Sequence, residues 1–312
     1  MAKARELRRR IKSVQSTRQI TRTMEMVSTS KLKRAQDRVV GARPYAAALA
    51  DVLGELYSPE LAEDFPLLRQ PEGGVIRRAA VLLITSNRGL CGAFNANLIR
   101  EARQRMRELE GAGAQVDLHL VGKKGVSFFR FTKRAAASAR SDIGDRPTAA
   151  HAAELVEPLM QQFAAGTLDA VDVVFAKFNS AVSTPPTTLR ILPVKPPAVG
   201  RTLKDSRSVA GGQADVHTPT ARPADRPFFI LKPSAGAILE QLLPLYVRNQ
   251  VYRALVETAA AEHGARRTAM KNATDSAGEM LDILRRTFNR ARQAQITQEI
   301  AEIVGGAEAL QG

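Results

Sequence analysis

The sequence predicts an α/β protein: a central α/β domain with a mostly parallel sheet, plus N- and C-terminal helices that pair as a long antiparallel coiled coil. Three observations lead there. Ala4 to Val40 contains neither proline nor glycine. Ser234 to Leu310 is broken only by Pro244 and single glycines before Gly305 and Gly306, and Met270 to Leu284 within it places apolar residues at alternating spacings of three and four. The stretch between them alternates apolar runs with amphipathic ones, the pattern of a sheet flanked by helices.

The first helix is predicted over residues 1–57, because helix formers dominate and nothing interrupts them before Gly41 and Pro44. Pro44 is expected to bend or loosen it, since proline removes a backbone donor and crowds the preceding turn. Leu7, Ile11, Val14, Leu32, Ala35 and Val39 share one arc roughly 120° wide at ~100° per residue, which makes a seam for a partner helix. Between those two groups the seam positions read Arg18, Thr21, Glu25 and Ser28, while Ile20, Met24 and Val27 lie on nearly the opposite side. Two apolar faces imply two different neighbours.

The central domain is predicted over residues 75–194. The run Ala79 to Thr85 suits a buried strand, Asn95 to Leu109 an amphipathic helix, and Val116 to Val121 a second strand. Helices follow at Lys124 to Phe131 and Thr148 to Ala164, and strands at Ala170 to Phe178 and Thr187 to Pro193. This alternation describes a Rossmann-like sheet. Residues 195–226 are rich in Pro, Gly, Ser and charge without periodicity and read as a flexible insertion, with a last strand at 227–233.

The second long helix is predicted over residues 234–312. Met270, Ala273, Ala277, Met280 and Leu284 form its seam, and Phe288 and Ala291 continue it after a one-residue drift.

Composition narrows the function. The 312 residues hold 15 aromatics (11 Phe, 4 Tyr, no Trp), one cysteine and four histidines, so no disulfide framework and no metal-ligand spacing exists. No apolar stretch approaches the ~20 residues needed to span a bilayer, and Met1 to Ser13 lacks the apolar centre of a signal peptide. The formal charge of +15 is concentrated at the start: residues 1–43 hold 13 Lys/Arg against three acids, whereas residues 228–312 hold 10 against nine. Such a basic segment suits an anionic partner.

Nothing in the pattern assembles an active site. Thr85 to Asn95 is a glycine-containing turn from strand to helix, where a phosphate would in principle meet free amides. It is neither GxGxxG nor a P-loop, and no acidic residue follows at the dinucleotide-binding spacing. Cys91 lacks a His or Asn tied to it by a local signature and reads as a small buried thiol. Asp169 and Asp172 flank a predicted strand start and read as turn residues rather than a catalytic pair. No catalytic, cofactor-binding or metal-binding residue is assigned.

Three segments carry a resemblance. Arg8 to Thr17 with Gln19 to Ser28, then Ser86-Asn87-Arg88-Gly89-Leu90-Cys91-Gly92-Ala93-Phe94-Asn95, then Asn289 to Ile300 are similar, in this order, to the gamma subunit of F-type ATP synthase. The resemblance implies that the terminal helices form a shaft inside a ring of three alpha and three beta subunits, with the α/β body against epsilon and the c-ring, and delta elsewhere in the complex. It implies a non-catalytic subunit that couples proton-driven rotation of the c-ring to ATP synthesis, and the reverse. It places the protein peripherally at the cytoplasmic face of the bacterial inner (plasma) membrane. It also implies subunit contacts for Arg8, Arg9, Ile20, Met24 and Val27, with Met24 near an acidic lever of a beta subunit, and for Arg292, Gln293 and Thr297 against beta-subunit loops. The redox cysteine pair of chloroplast members has no counterpart in 195–226. The competing reading, a nucleic-acid-binding protein with a basic helical arm, meets the objection that residues 1–43 contain no aromatic for base stacking.

Overall fold

A computed structural model describes residues 2–57, 65–195 and 235–311. The predicted last strand, and the insertion beyond Lys195, lie outside the described residues. The elements run α1 (Ala2–Leu56), β1 (Arg78–Ile84), α2 (Phe94–Gly111), β2 (Gln115–Val121), α3 (Lys123–Phe131), β3 (Ser138–Arg140), α4 (Ala149–Ala164), β4 (Ala170–Ala176), β5 (Pro186–Leu192) and α5 (Ala235–Gln311). The chain forms two compact units, Met1–Lys33 with Leu90–Gly92 and Glu262–Gly312, and Arg34–Gly89 with Ala93–Ala261.

The second unit holds the sheet, ordered β3-β2-β1-β4-β5, with β5 antiparallel to β4 and every other pair parallel. Alternation along the strands sorts the side chains between two faces. Ala80, Leu82 and Ile84 of β1 and Val171, Val173 and Phe175 of β4 join one core with Leu53 and Leu56 of α1, α4, and Leu239, Leu243, Val247 and Val251 of α5. The opposite face, including Ala79, Val81 and Leu83, is also buried and packs under α2. Burial on both faces explains why β1 reads as a continuous apolar run. Strand β3 escapes sequence reading because its three residues are small or charged and largely exposed.

Helix α1 runs unbroken through Pro44. The carbonyl deprived of a donor belongs to Val40, whose side chain is largely exposed, so water can serve it and the helix continues. Asp172 departs further from its reading. It lies fully buried inside β4, where its carboxylate accepts from Arg105 Nε at 2.7 Å and Arg190 Nε at 2.8 Å. Sequence spacing hides this because the two arginines come from α2 and β5. Asp169 does serve a turn, accepting the backbone N–H groups of Arg77 and Arg78 at 2.8 and 3.0 Å.

Candidate functional site

In the unit containing the chain ends, two contacts fix how α1 and α5 pair. Thr274 Oγ1 lies 2.8 Å from Thr21 Oγ1, and a side chain on Gly278 would sit 3.6 Å from Arg18 Nε. The partner numbers add to 295 or 296, so the helices run antiparallel. Carried along both helices, this register sets Val14 opposite Leu281, Ile11 opposite Leu284 and Leu7 opposite Phe288. All six are buried or half-buried.

The seam of α5 therefore follows Met270, Thr274, Ala277, Leu281, Leu284, Phe288 and Ala291, without a drift. This corrects one seam residue outright: Met280 is 53% exposed and Leu281 only 1%. Ala273 is half-buried, while its neighbour Thr274 is buried. Apolar periodicity does not pick out Thr274, because a hydroxyl adds nothing to an apolar pattern. Here it is satisfied twice over, lying 2.8 Å from the Met270 carbonyl as well as from Thr21. On α1, Leu32, Ala35 and Val39 are buried, and so are the polar seam positions Thr21 and Ser28.

Away from the seam the same unit presents a second surface. Arg8, Arg9, Ile20 and Val27 are exposed and Met24 is half-buried. Arg292, Gln293 and Thr297 are exposed, with the Thr297 hydroxyl donating to the Gln293 carbonyl at 3.0 Å. Sequence reasoning passed over an apolar stripe on α5. Ile296, Ile300 and Ile303 stand exposed at spacings of four and three, one position off the seam and so ~100° around the helix. That spacing was legible. Isolated exposed apolar residues are ordinary, whereas a stripe on a helical face marks an interaction surface.

The turn after β1 is tied by hydrogen bonds to the start of α3, the helix that follows β2. The N-terminal amides of α3 are all taken: Lys123 N–H donates to Asn87 Oδ1 at 2.9 Å, Lys124 N–H to the Ser86 carbonyl at 3.1 Å and Gly125 N–H to Thr85 Oγ1 at 3.0 Å. Ser86 N–H donates to Asn95 Oδ1 at 3.1 Å, and Asn87 Nδ2 donates to the Ile143 carbonyl at 2.8 Å. The motif ties β1, α2 and α3 together through the side chains of Thr85, Asn87 and Asn95. Cys91 is buried. In its own unit this turn meets α5, a side chain on Gly92 falling 3.8 Å from Ala269 Cβ. Among the described residues no group of three or more His, Cys, Asp or Glu could hold a metal ion, and no helix is long and apolar enough to cross a membrane.

The family described as ATP synthase matches residues 3–310. The ATP synthase gamma chain of Gemmatimonas aurantiaca is 61% identical over 312 residues, covering 100% of both chains. That of Moorella thermoacetica is 44% identical over 310 residues, covering 99% of this chain and 100% of its own. Among solved structures, a chain of the Euglena gracilis mitochondrial ATP synthase OSCP/F1/c-ring assembly has a TM-score of 0.65 at 19% identity, over 99% of this chain and 95% of its own. A chain of the Tetrahymena thermophila central stalk and c-ring has a TM-score of 0.56 at 22% identity, over 81% and 99%. At these identities the structural likeness establishes the fold.

Proposed function

The chain belongs to the ATP synthase gamma-chain family, and from that premise we propose that its paired helices are the central rotor of the catalytic head. It is a non-catalytic subunit of a membrane-associated complex. The single observation that carries the mechanism is the antiparallel pairing of Thr21 with Thr274, which joins the two ends of the chain into one rod. A two-helix rod has no threefold symmetry, so each angular setting presents a different surface to each of three equivalent catalytic subunits. Contacts that distinguish their conformations bias one toward binding ADP and phosphate, one toward holding ATP and one toward release. The coupling is reciprocal, so hydrolysis also turns the rod.

In this reading three alpha and three beta subunits surround the rod, epsilon and the c-ring meet the α/β unit, and delta belongs to the same complex. Ile20, Met24 and Val27 with Arg8 and Arg9 form one bearing surface. Arg292, Gln293 and Thr297, together with the stripe Ile296, Ile300 and Ile303, form another. The working position is the cytoplasmic face of the bacterial inner membrane. The relatives give no support to the nucleic-acid reading of the basic helix.

Exposed charges are screened over about 8 Å at physiological salt, so the attraction of the basic helix is spread over many residues. Substituting Arg8 or Arg9 singly by Ala is therefore expected to leave ring assembly within about twofold of wild type. The deciding experiment mixes the purified chain with alpha and beta subunits. One copy is expected to enter each hexameric ring and to support ATP hydrolysis; rings that form and turn over equally well without the chain refute the reading.

A further inference from the structure

Within the α/β unit, the carboxyl end of β4 is closed by two side chains of α5. Both oxygens of the Glu257 carboxylate are engaged: Oε2 accepts from the Phe178 backbone N–H at 3.0 Å and Oε1 from Arg253 Nε at 2.7 Å. The next residue repeats the pattern. Thr258 Oγ1 accepts from the Ala176 backbone N–H at 3.3 Å and donates to the Ala254 carbonyl at 2.7 Å. Glu257 is 2% exposed and Thr258 3%. In a doubly wound sheet this is the place beside the switch point where a ligand normally sits, outside the carboxyl ends of the central strands. Here the chain's own helix supplies the acceptors.

Position along α5 gives these bonds their meaning. The boundary between the two compact units falls between Ala261 and Glu262. Upstream of Glu257, the helix is held to the sheet by Leu239, Leu243, Val247, Val251, Ala254 and Leu255. Such burial opposes separation and keeps this face turned inward, but apolar contacts are non-directional and set the exact angle less sharply than hydrogen bonds do. Hydrogen bonds to a strand's backbone are directional and weaken steeply when misaligned. Glu257 and Thr258 are the last such bonds from α5 to the sheet before the boundary. Helix α1 has a comparable bond just inside its own crossing at Lys33 and Arg34, where Arg38 Nη1 donates to the Asp145 carbonyl at 3.1 Å.

We infer that Glu257 and Thr258 are positioning residues that lock the angular setting of α5 to the α/β unit, so that torque passes between sheet and helix without slip. The inference rests on the rotor reading above. The charge-assisted bond from Phe178 and the buried bond from Ala176 are lost when these acceptors are removed, leaving two strand-end amides without partners. Free to twist locally, α5 would then dissipate part of each step.

The test uses the complete membrane complex reconstituted with Glu257→Ala/Thr258→Val, Thr258→Val and Thr258→Ser. Two quantities are read per assembled complex: ATP hydrolysis, and protons pumped per ATP. The double variant is expected to keep hydrolysis within about twofold of wild type while protons pumped per ATP fall at least threefold. Thr258→Ser, which retains the hydroxyl, is expected to match wild type. If the double variant does not assemble, Thr258→Val, of nearly the same volume, carries the same measurement, with an intermediate fall in the ratio expected. A merely structural role lowers assembly and leaves the ratio untouched; an unchanged ratio in the variants, or a Ser variant as defective as Val, overturns the clamp. A wild-type chain that fails to support pumping in the same complex overturns the rotor reading instead.

Discussion

Thr21 and Thr274, 253 residues apart in sequence, meet hydroxyl to hydroxyl at 2.8 Å across the buried seam of two helices. Thr21 Oγ1 also lies 3.0 Å from the Arg18 carbonyl and Thr274 Oγ1 2.8 Å from that of Met270, so each hydroxyl has an acceptor within reach inside an apolar interface. A buried polar layer of this kind contributes less to stability than to fixing which residues face each other.

The pair is expected to show measurable coupling. Thr21→Val and Thr274→Val should each cost about 1 kcal/mol, and the double variant should cost less than their sum by about 0.5–1 kcal/mol. Chemical denaturation of the four chains checks it, and strict additivity would show that the hydroxyls do not interact.

The register makes a sharper demand at two adjacent positions. Leu281→Ala should destabilise the chain by about 2–4 kcal/mol, because it opens a cavity in the seam. Met280→Ala should change stability by no more than about 0.5 kcal/mol, because Met280 stands largely in solvent. Reversal of that order would restore the seam read from sequence.

Two glycines should respond oppositely to alanine. Gly278 lies within α5, where a Cβ would make ordinary contact with Arg18 at 3.6 Å, so Gly278→Ala should gain about 0.5–1 kcal/mol from reduced backbone freedom. Gly122 has φ +97° and a Cβ there would fall 2.2 Å from the Thr85 carbonyl oxygen. Gly122→Ala should cost more than about 3 kcal/mol by forcing β1 from the turn into α3. Thermal unfolding of the two variants beside wild type distinguishes them.

Stability should also carry a histidine signature. Burial depresses the pKa of His119, with Asp117 opposing the effect, and Nδ1 lies 2.7 Å from Ser138 Oγ. The folded state thus favours the neutral ring. Its contribution is fully present above the unfolded value of about 6.5 and declines as pH falls below that value toward the lower folded pKa. His119→Gln should flatten this part of the pH–stability curve, measured by denaturation between about pH 7 and pH 5.

Much of the architecture was legible because it rests on local repetition. Both terminal helices, the strands that became β1, β2, β4 and β5, and the helices that became α2, α3 and α4 follow from periodicity and from the placing of Gly and Pro. On α1 the apolar positions Leu7, Ile11, Val14, Leu32 and Val39 are legible as one arc, and each is buried or half-buried. Periodicity cannot reveal a polar group buried opposite another from the far end of the chain. That is why Thr274 was passed over for Ala273 and Met280 was chosen over Leu281. The same limit hid Asp172, whose burial depends on two arginines from elements that no local pattern joins to it.

By itself, the order of residues determined that this protein has two long helical ends, an α/β middle and no metal-ligand or nucleotide-binding spacing, since these follow from chain stiffness, apolar period and composition. Tertiary structure alone decided the register of the helices, the closing of β4 by Glu257 and Thr258, and the hydrogen bonds that tie the turn after β1 to the start of α3. Each of those depends on groups brought together across long stretches of chain, where geometry rather than spacing settles which donor meets which acceptor.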